Sequence, residues 1–253
     1  MRTEQVSELL RQVAADAILP RFGALASDEV AEKKPGDFVT VADREAEALL
    51  TAAFREADPD ALVVGEEATQ LDHLLPRRLA GAAHAWVIDP VDGTRNFVNN
   101  NPNFAVMVAE VVDGRCVRGW IYQPMHSAMY IAEADQGVTR NGEPLVRRGQ
   151  HGARPSGVGY ERLTKPTPGL EPLTRPSGCA GYDYPRCAAG ETDFIIYTSV
   201  HPWDHLAGTL MITENGGIAR TVGGRRYDPS VTRGPLVVAR DPLVWRTVVA
   251  ALR

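Results

Sequence analysis

Hydrophobic positions along the chain follow one period in some stretches and another elsewhere. From Thr3 to Phe22, residues Val6, Leu9, Leu10, Val13, Ala14, Ala17 and Ile18 recur at i, i+3, i+4 and i+7, which predicts an amphipathic helix ending near Pro20. A second helix follows Asp43 and carries Ala46, Leu49, Leu50, Ala53 and Phe54 on one face. The pattern then changes to short apolar runs, at 61–64, 84–88, 104–112, 117–123 and 128–133, which read as strands. Turns are expected at Asp113-Gly114 and over 124–127, and Asn141-Gly142 within 138–145 is a hairpin signal. Residues 70–83 read as a surface connection around Pro76.

The second half alternates. Residues 179–189 read as helix despite Pro185, and 193–199 as strand. Asp204 is expected to start a helix bearing Leu206, Leu210, Met211 and Ile212, stopped by Gly216-Gly217. Strands follow at 218–222 and 235–239, then a last helix capped by Asp241. Residues 149–178 are rich in Gly, Pro and Arg, set no element, and read as the junction between an α+β subdomain (1–148) and an α/β subdomain (149–253) of one domain. The fold class is α+β, with stacked layers of helices and sheets and function at strand ends and helix starts.

Composition narrows the classes. With 253 residues, 44% hydrophobic and 23% charged, the chain suits a globular protein with a large core. A net charge of -5 with no basic stripe argues against nucleic acid as a partner. Arg140 to Arg148 and Arg220 to Arg226 are locally basic and read as solvated, or as an attraction for an anionic substrate. Three cysteines without a C-x-x-C pair suggest reduced thiols and a cytoplasmic location. No apolar run has the length of a signal core or a membrane span.

The candidate chemistry centres on Trp86-Val87-Ile88-Asp89-Pro90-Val91-Asp92-Gly93-Thr94-Arg95-Asn96-Phe97. An apolar strand here delivers Asp89 and Asp92 to its C-terminal edge. Pro90 brings no N–H and interrupts the ladder. Gly93 lets the backbone turn, and Gly-Thr opens a turn whose N–H groups receive an anion. Taken alone, D-P-x-D-G is a common turn. Beside other acidic groups it reads as two hard oxygen ligands for a dication next to a phosphate cradle. Thr40 and Asp43 have the spacing of a capping box, and Asp43 is also placed to accept a hydrogen bond from a catalytic hydroxyl. Glu66 and Glu67 end a strand, where they face solvent or complete a cation site with Asp89. His201 and His205 flank Asp204 at i, i+4, but H-E-x-x-H is absent and Pro202 intervenes, so the pair does not read as a zinc site.

Four patterns occur in order: Asp37-Phe38-Val39-Thr40-x-x-Asp43; Gly65-Glu66-Glu67; Trp86 to Phe97; and Trp203-Asp204-x-x-Ala207-Gly208 leading to Glu214-Asn215-Gly216-Gly217. Together they resemble the inositol monophosphatase family of magnesium-dependent, lithium-sensitive phosphatases, over nearly the whole chain. The resemblance implies a layered α-β-α-β-α fold. It implies Mg²⁺ held by Glu66, Asp89, Asp92, Asp204 and the Val91 carbonyl: one ion on Glu66, Asp89 and Val91, a second on Asp89, Asp92 and Asp204, and a weaker third sharing Glu66. Thr94, polarised by Asp43, orients the attacking water. Glu67 tunes water positions, and the N–H groups of Gly93 and Thr94 hold phosphate oxygens. Inhibition by Li⁺ and a homodimer follow from the same resemblance.

The substrate implied is a small polyol or sugar phosphate of the inositol 1-phosphate kind. Tyr197 and Asp204 are expected on its side of the site. Where true inositol monophosphatases place an acidic residue seven positions before the helix-start aspartate, this chain has Tyr197, which cannot accept two hydroxyls as a carboxylate does. Alternatives within the superfamily are histidinol phosphate, fructose 1,6-bisphosphate and adenosine 3′,5′-bisphosphate. A basic cluster for a bisphosphate is not evident, although Arg175 and Arg186 could reach the site. Two other classes, a non-catalytic regulator and a structural Ca²⁺ module, explain the ligand set and Gly93-Thr94 less well.

Overall fold

The computed structural model describes residues 1–149, 154–160 and 169–252. Its helices are α1 (Thr3–Val13), α2 (Val41–Ala57), α3 (Glu66–Leu71), α4 (Thr94–Val98), α5 (Ala180–Ala188), α6 (Pro202–Glu214) and α7 (Pro242–Ala251). Its strands are β1 (Val30–Lys34), β2 (Asp37–Thr40), β3 (Leu62–Gly65), β4 (His84–Asp92), β5 (Ala105–Val112), β6 (Arg115–Gln123), β7 (Ala128–Glu133), β8 (Gly137–Arg140), β9 (Glu143–Pro144), β10 (Gly157–Val158), β11 (Phe194–Tyr197), β12 (Ile218–Thr221) and β13 (Leu236–Ala239). β1 and β2 form a separate hairpin.

A seven-stranded sheet runs β3-β4-β5-β6-β7-β8-β9, parallel between β3 and β4 and antiparallel beyond. Its tight turns follow the residue types. Asn141 and Gly142 take φ of 51° and 85°, the left-handed pair a two-residue hairpin demands. A four-stranded sheet runs β10-β11-β13-β12.

The layers follow from alternation along the strands. On β4 and β5, Trp86, Ile88, Val106 and Val108 face α1 and α2, where Trp86 stacks on Phe54 at 4.2 Å. Val87, Met107 and Ala109 face α5 and α6 on the other side. The second sheet repeats the device: Ile195 and Val238 join that same middle core, while Phe194, Ile196, Val237 and Ala239 pack against α7. The order is therefore helix, sheet, helix, sheet, helix, as the resemblance implied.

Three readings need correction. The helix expected over 3–22 keeps α geometry only to Val13; it widens over Ala14–Ile18, where Leu19 N–H donates to the Ala14 carbonyl, and tightens over Leu19–Arg21. Pro20 lacks the N–H that a regular helix would use there. Asp204 does not start α6. The helix begins two residues earlier, with His201 as cap and Pro202 in the first position that proline favours. Glu66 and Glu67 do not trail from a strand end but open α3. Of the stretch 149–178, residues 150–153 and 161–168 lie outside the described residues.

The middle layer leaves little room. A Cβ on Gly208 of α6 would stand 2.2 Å from the Tyr184 ring of α5. Gly208→Ala is expected to destabilise the fold by about 1–3 kcal/mol through overpacking. Gly81→Ala, where nothing lies within 4 Å, should leave stability nearly unchanged. Thermal unfolding of the two variants checks both, and a neutral Gly208→Ala would contradict the tight α5–α6 contact.

Candidate active site

Residues 89 and 92 are three apart, so on a flat strand they would point to opposite faces. The ladder prevents this. Asp89 pairs with Met107 and Asp92 with Ala105, leaving Pro90 and Val91 opposite Val106 alone. This bulge shifts the alternation by one, and both carboxylates turn toward the same cleft. Val91 goes instead into the core beneath α1 and α2.

The cleft, of about 170 Å³, is lined by Glu66, Asp89, Val91, Asp92, Gly93, Thr94 and Asp204, with Gly36 to Phe38, Arg95 and Gly178 at its rim. Among the described residues no three His, Cys, Asp or Glu side chains close into a ready metal cage; the carboxylates line an open hollow. Larger hollows of about 300 Å³ between β6 and α6 and about 640 Å³ along α2 and α3 do not gather this set.

Each acidic group has its own restraint. Asp92 Oδ2 accepts the Gly181 N–H at 2.5 Å and the Cys179 thiol at 3.0 Å, so it closes the first turn of α5. Its carboxyl is pushed up to about 7 by burial, against the pull of those two donors. Asp89 lies well above the carboxylate range through burial and the charges of Glu66, Asp92 and Asp204, and its Oδ1 is buried without a partner. Asp204 is raised by burial and by the charges of Asp92 and Glu66. Glu66 is raised by burial and pulled back by Lys33, whose ammonium stands 2.9 Å from Glu66 and 2.5 Å from Glu67.

The hydroxyl pair is assembled from two elements. Thr94 opens α4 and its Oγ1 lies 3.1 Å from Asp43 Oδ1 and 3.0 Å from the Val91 carbonyl. Its single proton goes to one or the other. Asp43 Oδ2 accepts the Thr40 N–H at 2.8 Å and the Thr40 hydroxyl at 2.5 Å, the expected capping box at the start of α2. Burial pushes Asp43 up to about 7. Gly93, at φ 86°, has no space for a side chain: a Cβ would meet Cys179 at 3.0 Å and the Asn103 carbonyl at 3.2 Å. Asn96 donates to the carbonyls of Asn103 and Ser177, which ties the 177–178 turn to the rim.

Other named residues lie elsewhere. Tyr197 does not line this cleft; its ring stacks on Tyr184 and packs at a tilt against His205, and its hydroxyl is buried without a partner. His205 is a satisfied core histidine: it bonds the Ser199 carbonyl and the Tyr184 hydroxyl, and burial pushes its pKa down to about 3. Arg186 pairs with Glu191, and neither it nor Arg175 lines the cleft. The cation at the rim is Arg95, which donates to the Gly36 carbonyl at 2.6 Å. Sequence reasoning also missed Lys33, Cys179 and Glu47, which burial pushes up to about 7 and which accepts backbone N–H groups from Glu67 and Ala68.

Asp43, Glu47 and Asp92 hold their protons more tightly folded than unfolded, where carboxyls titrate near ~4. The penalty for ionising them is absent below about pH 4 and grows as pH rises through about 7. Metal-free protein is expected to melt several degrees higher at pH 5.5 than at pH 8.5, and Mg²⁺ should raise the midpoint most at pH 8.5. Differential scanning fluorimetry with chelator and then with Mg²⁺ checks this; a higher metal-free midpoint at pH 8.5 contradicts it.

With the geometry in place, the comparisons agree. The profile described as the Inositol monophosphatase family matches residues 2–252. The inositol-1-monophosphatase of Mesorhizobium japonicum is 30% identical over 251 residues, covering 92% of this chain and 89% of that protein. Nus factor SuhB of Escherichia coli strain K12 is 30% identical over 239 residues, covering 89% of this chain and 86% of that protein. The solved structure of Thermotoga maritima IMPase has a TM-score of 0.79 at 26% identity, covering 98% of this chain and 95% of that one. By its whole-length match, its five layers and its ordered motifs, this chain belongs to the inositol monophosphatase family.

Proposed function

We propose that the chain is a Mg²⁺-dependent phosphomonoesterase acting on a small polyol or sugar phosphate. The observation that carries the reading is the Thr94 hydroxyl within hydrogen-bond reach of Asp43, beside a cleft of oxygen donors. The donors fit the ion. All are oxygens, the class that Mg²⁺ prefers, and a buried Asp89 oxygen lacks any protein partner. Glu66, Asp89 and the Val91 carbonyl would hold one ion, Asp89, Asp92 and Asp204 a second, with Glu66 shared by a weaker third. Bound there, Mg²⁺ supplies Lewis-acid stabilisation of the charge on the phosphate and the leaving oxygen.

The chain's own groups supply positioning and proton movement. The N–H groups of Gly93 and Thr94, at the open end of α4, receive phosphate oxygens. Thr94 Oγ1 accepts a proton from the attacking water while passing its own to Asp43 Oδ1. That oxygen is available because Thr40 occupies the other one. A carboxyl near 7 is suited to hold this proton at neutral pH. Glu67, tied to Lys33, orders solvent beside Glu66. Asp204 belongs to the substrate side of the proposal, whereas Tyr197 lies outside the cleft. As the water oxygen bonds phosphorus the ester P–O bond breaks, the leaving oxygen takes a proton from solvent, and phosphate and alcohol leave as products.

A second reading, a regulatory binding protein, draws on the relatives named Nus factor SuhB. Against it as a sole role, Glu66, Asp89, Asp92, Thr94 and Asp204 are all present. Asp92→Asn should lower phosphate release from inositol 1-phosphate by roughly a hundredfold or more, and Thr94→Ala by about 10²–10⁴-fold, with circular dichroism unchanged. Thr94→Ser should keep most activity. Wild-type turnover by Asp92→Asn at saturating Mg²⁺ would refute the site.

A further inference from the structure

α3 is short and starts without a cap of its own. Its N-cap position is Gly65, which has no side chain to accept the first N–H groups. Those groups nonetheless have partners. Glu47, a buried residue of α2, accepts the Glu67 N–H on Oε2 and the Ala68 N–H on Oε1, both at 2.8 Å. The fit is close: a Cβ at position 65 would stand 2.2 Å from the Glu47 carboxyl carbon and 2.4 Å from each of its oxygens. Gly65 is thus required as the space the borrowed cap fills.

Glu47 stands four residues after Asp43, so the two lie on one face of α2. Asp43 reaches Thr94 and Glu47 reaches the first turn of α3, whose first residue is Glu66. Lys33 holds the Glu66 side chain from the β1–β2 hairpin. We infer that Glu47 is a positioning residue for the cation site: by capping α3 from α2 it fixes Glu66 relative to Thr94, so one helix sets both the proton-accepting hydroxyl and an ion ligand. The inference rests on the reading of Glu66 as an ion ligand.

The experiment measures Mn²⁺ binding by the loss of the free-ion paramagnetic resonance signal, and half-saturating Mg²⁺ for phosphate release, in wild type, Glu47→Gln, Glu47→Asp and Gly65→Ala. Glu47→Gln keeps the volume and loses one acceptor. Glu47→Asp keeps the charge and falls one methylene short. Gly65→Ala leaves every charge in place and displaces the cap. All three should weaken Mn²⁺ binding about tenfold or more, the usual effect of losing a group that orients a ligand, and half-saturating Mg²⁺ should rise more than kcat falls. A folded Glu47→Gln that binds Mn²⁺ within twofold of wild type overturns the inference. So does weakening confined to Glu47→Gln, which would make the effect one of charge and not of position. Should Gly65→Ala fail to fold, Glu47→Asp decides. Wild type that binds Mn²⁺ but releases no phosphate sinks the phosphatase reading alone, and the binding arm still decides Glu47. Wild type that binds no Mn²⁺ overturns both.

Discussion

Four carboxylates in one cleft repel one another, and much of the surrounding structure holds them there. Burial pushes Asp89, Asp92 and Asp204 upward, Asp92 raises both of the others, and Asp204 raises Asp89. The opposing forces are local and few. The bulge at Pro90 turns Asp92 inward, the first turn of α5 grips one of its oxygens, and Lys33 offsets Glu66 and Glu67. An arrangement that raises the energy of its own charged form favours a cation, which is the physical basis of the proposed ion site.

The layers explain how such a cluster is reached. Asp89 and Asp92 come from the seven-stranded sheet, Glu66 from the helix after its edge strand, and Asp204 from α6 in the middle layer. α6 is buried on nearly every side, between Gly119 of β6, Tyr184 of α5 and the second sheet. A helix so confined fixes Asp204 in its first turn with little freedom. Packing in the middle layer is therefore part of the geometry of the site, and not only of stability.

Much of this was legible in the sequence, for physical reasons. Asn141-Gly142 announces its hairpin because few other residues accept two left-handed positions. Pro90, which has no N–H for a ladder, and Gly93, which takes a φ of 86°, announce the strand end beside Asp89 and Asp92. Asp204 reads as the start of α6 because Asp is common at helix starts, while Pro202 two residues earlier is the better start signal. Lys33, Cys179 and Arg95 carry no local signature; they meet the site through tertiary contacts with residues far along the chain. Glu47 had a weak one, its i, i+4 relation to Asp43. Within 149–178, the two-residue β10 was too short and glycine-rich to show a period, and Gly178 reaches the cleft only through its turn.

The central claim is that the cleft hydrolyses a phosphate ester only when a hard dication fills it. The most direct measurement is phosphate release by the wild-type chain, with chelator, with Mg²⁺, and with Mg²⁺ plus Li⁺. The panel would hold inositol 1-phosphate, histidinol phosphate, fructose 1,6-bisphosphate, adenosine 3′,5′-bisphosphate and β-glycerophosphate. The account predicts no release in chelator, strong release of phosphate from at least one compound in Mg²⁺, and suppression by Li⁺. Release that persists in chelator, or silence across the panel while Mg²⁺ binds, would contradict it.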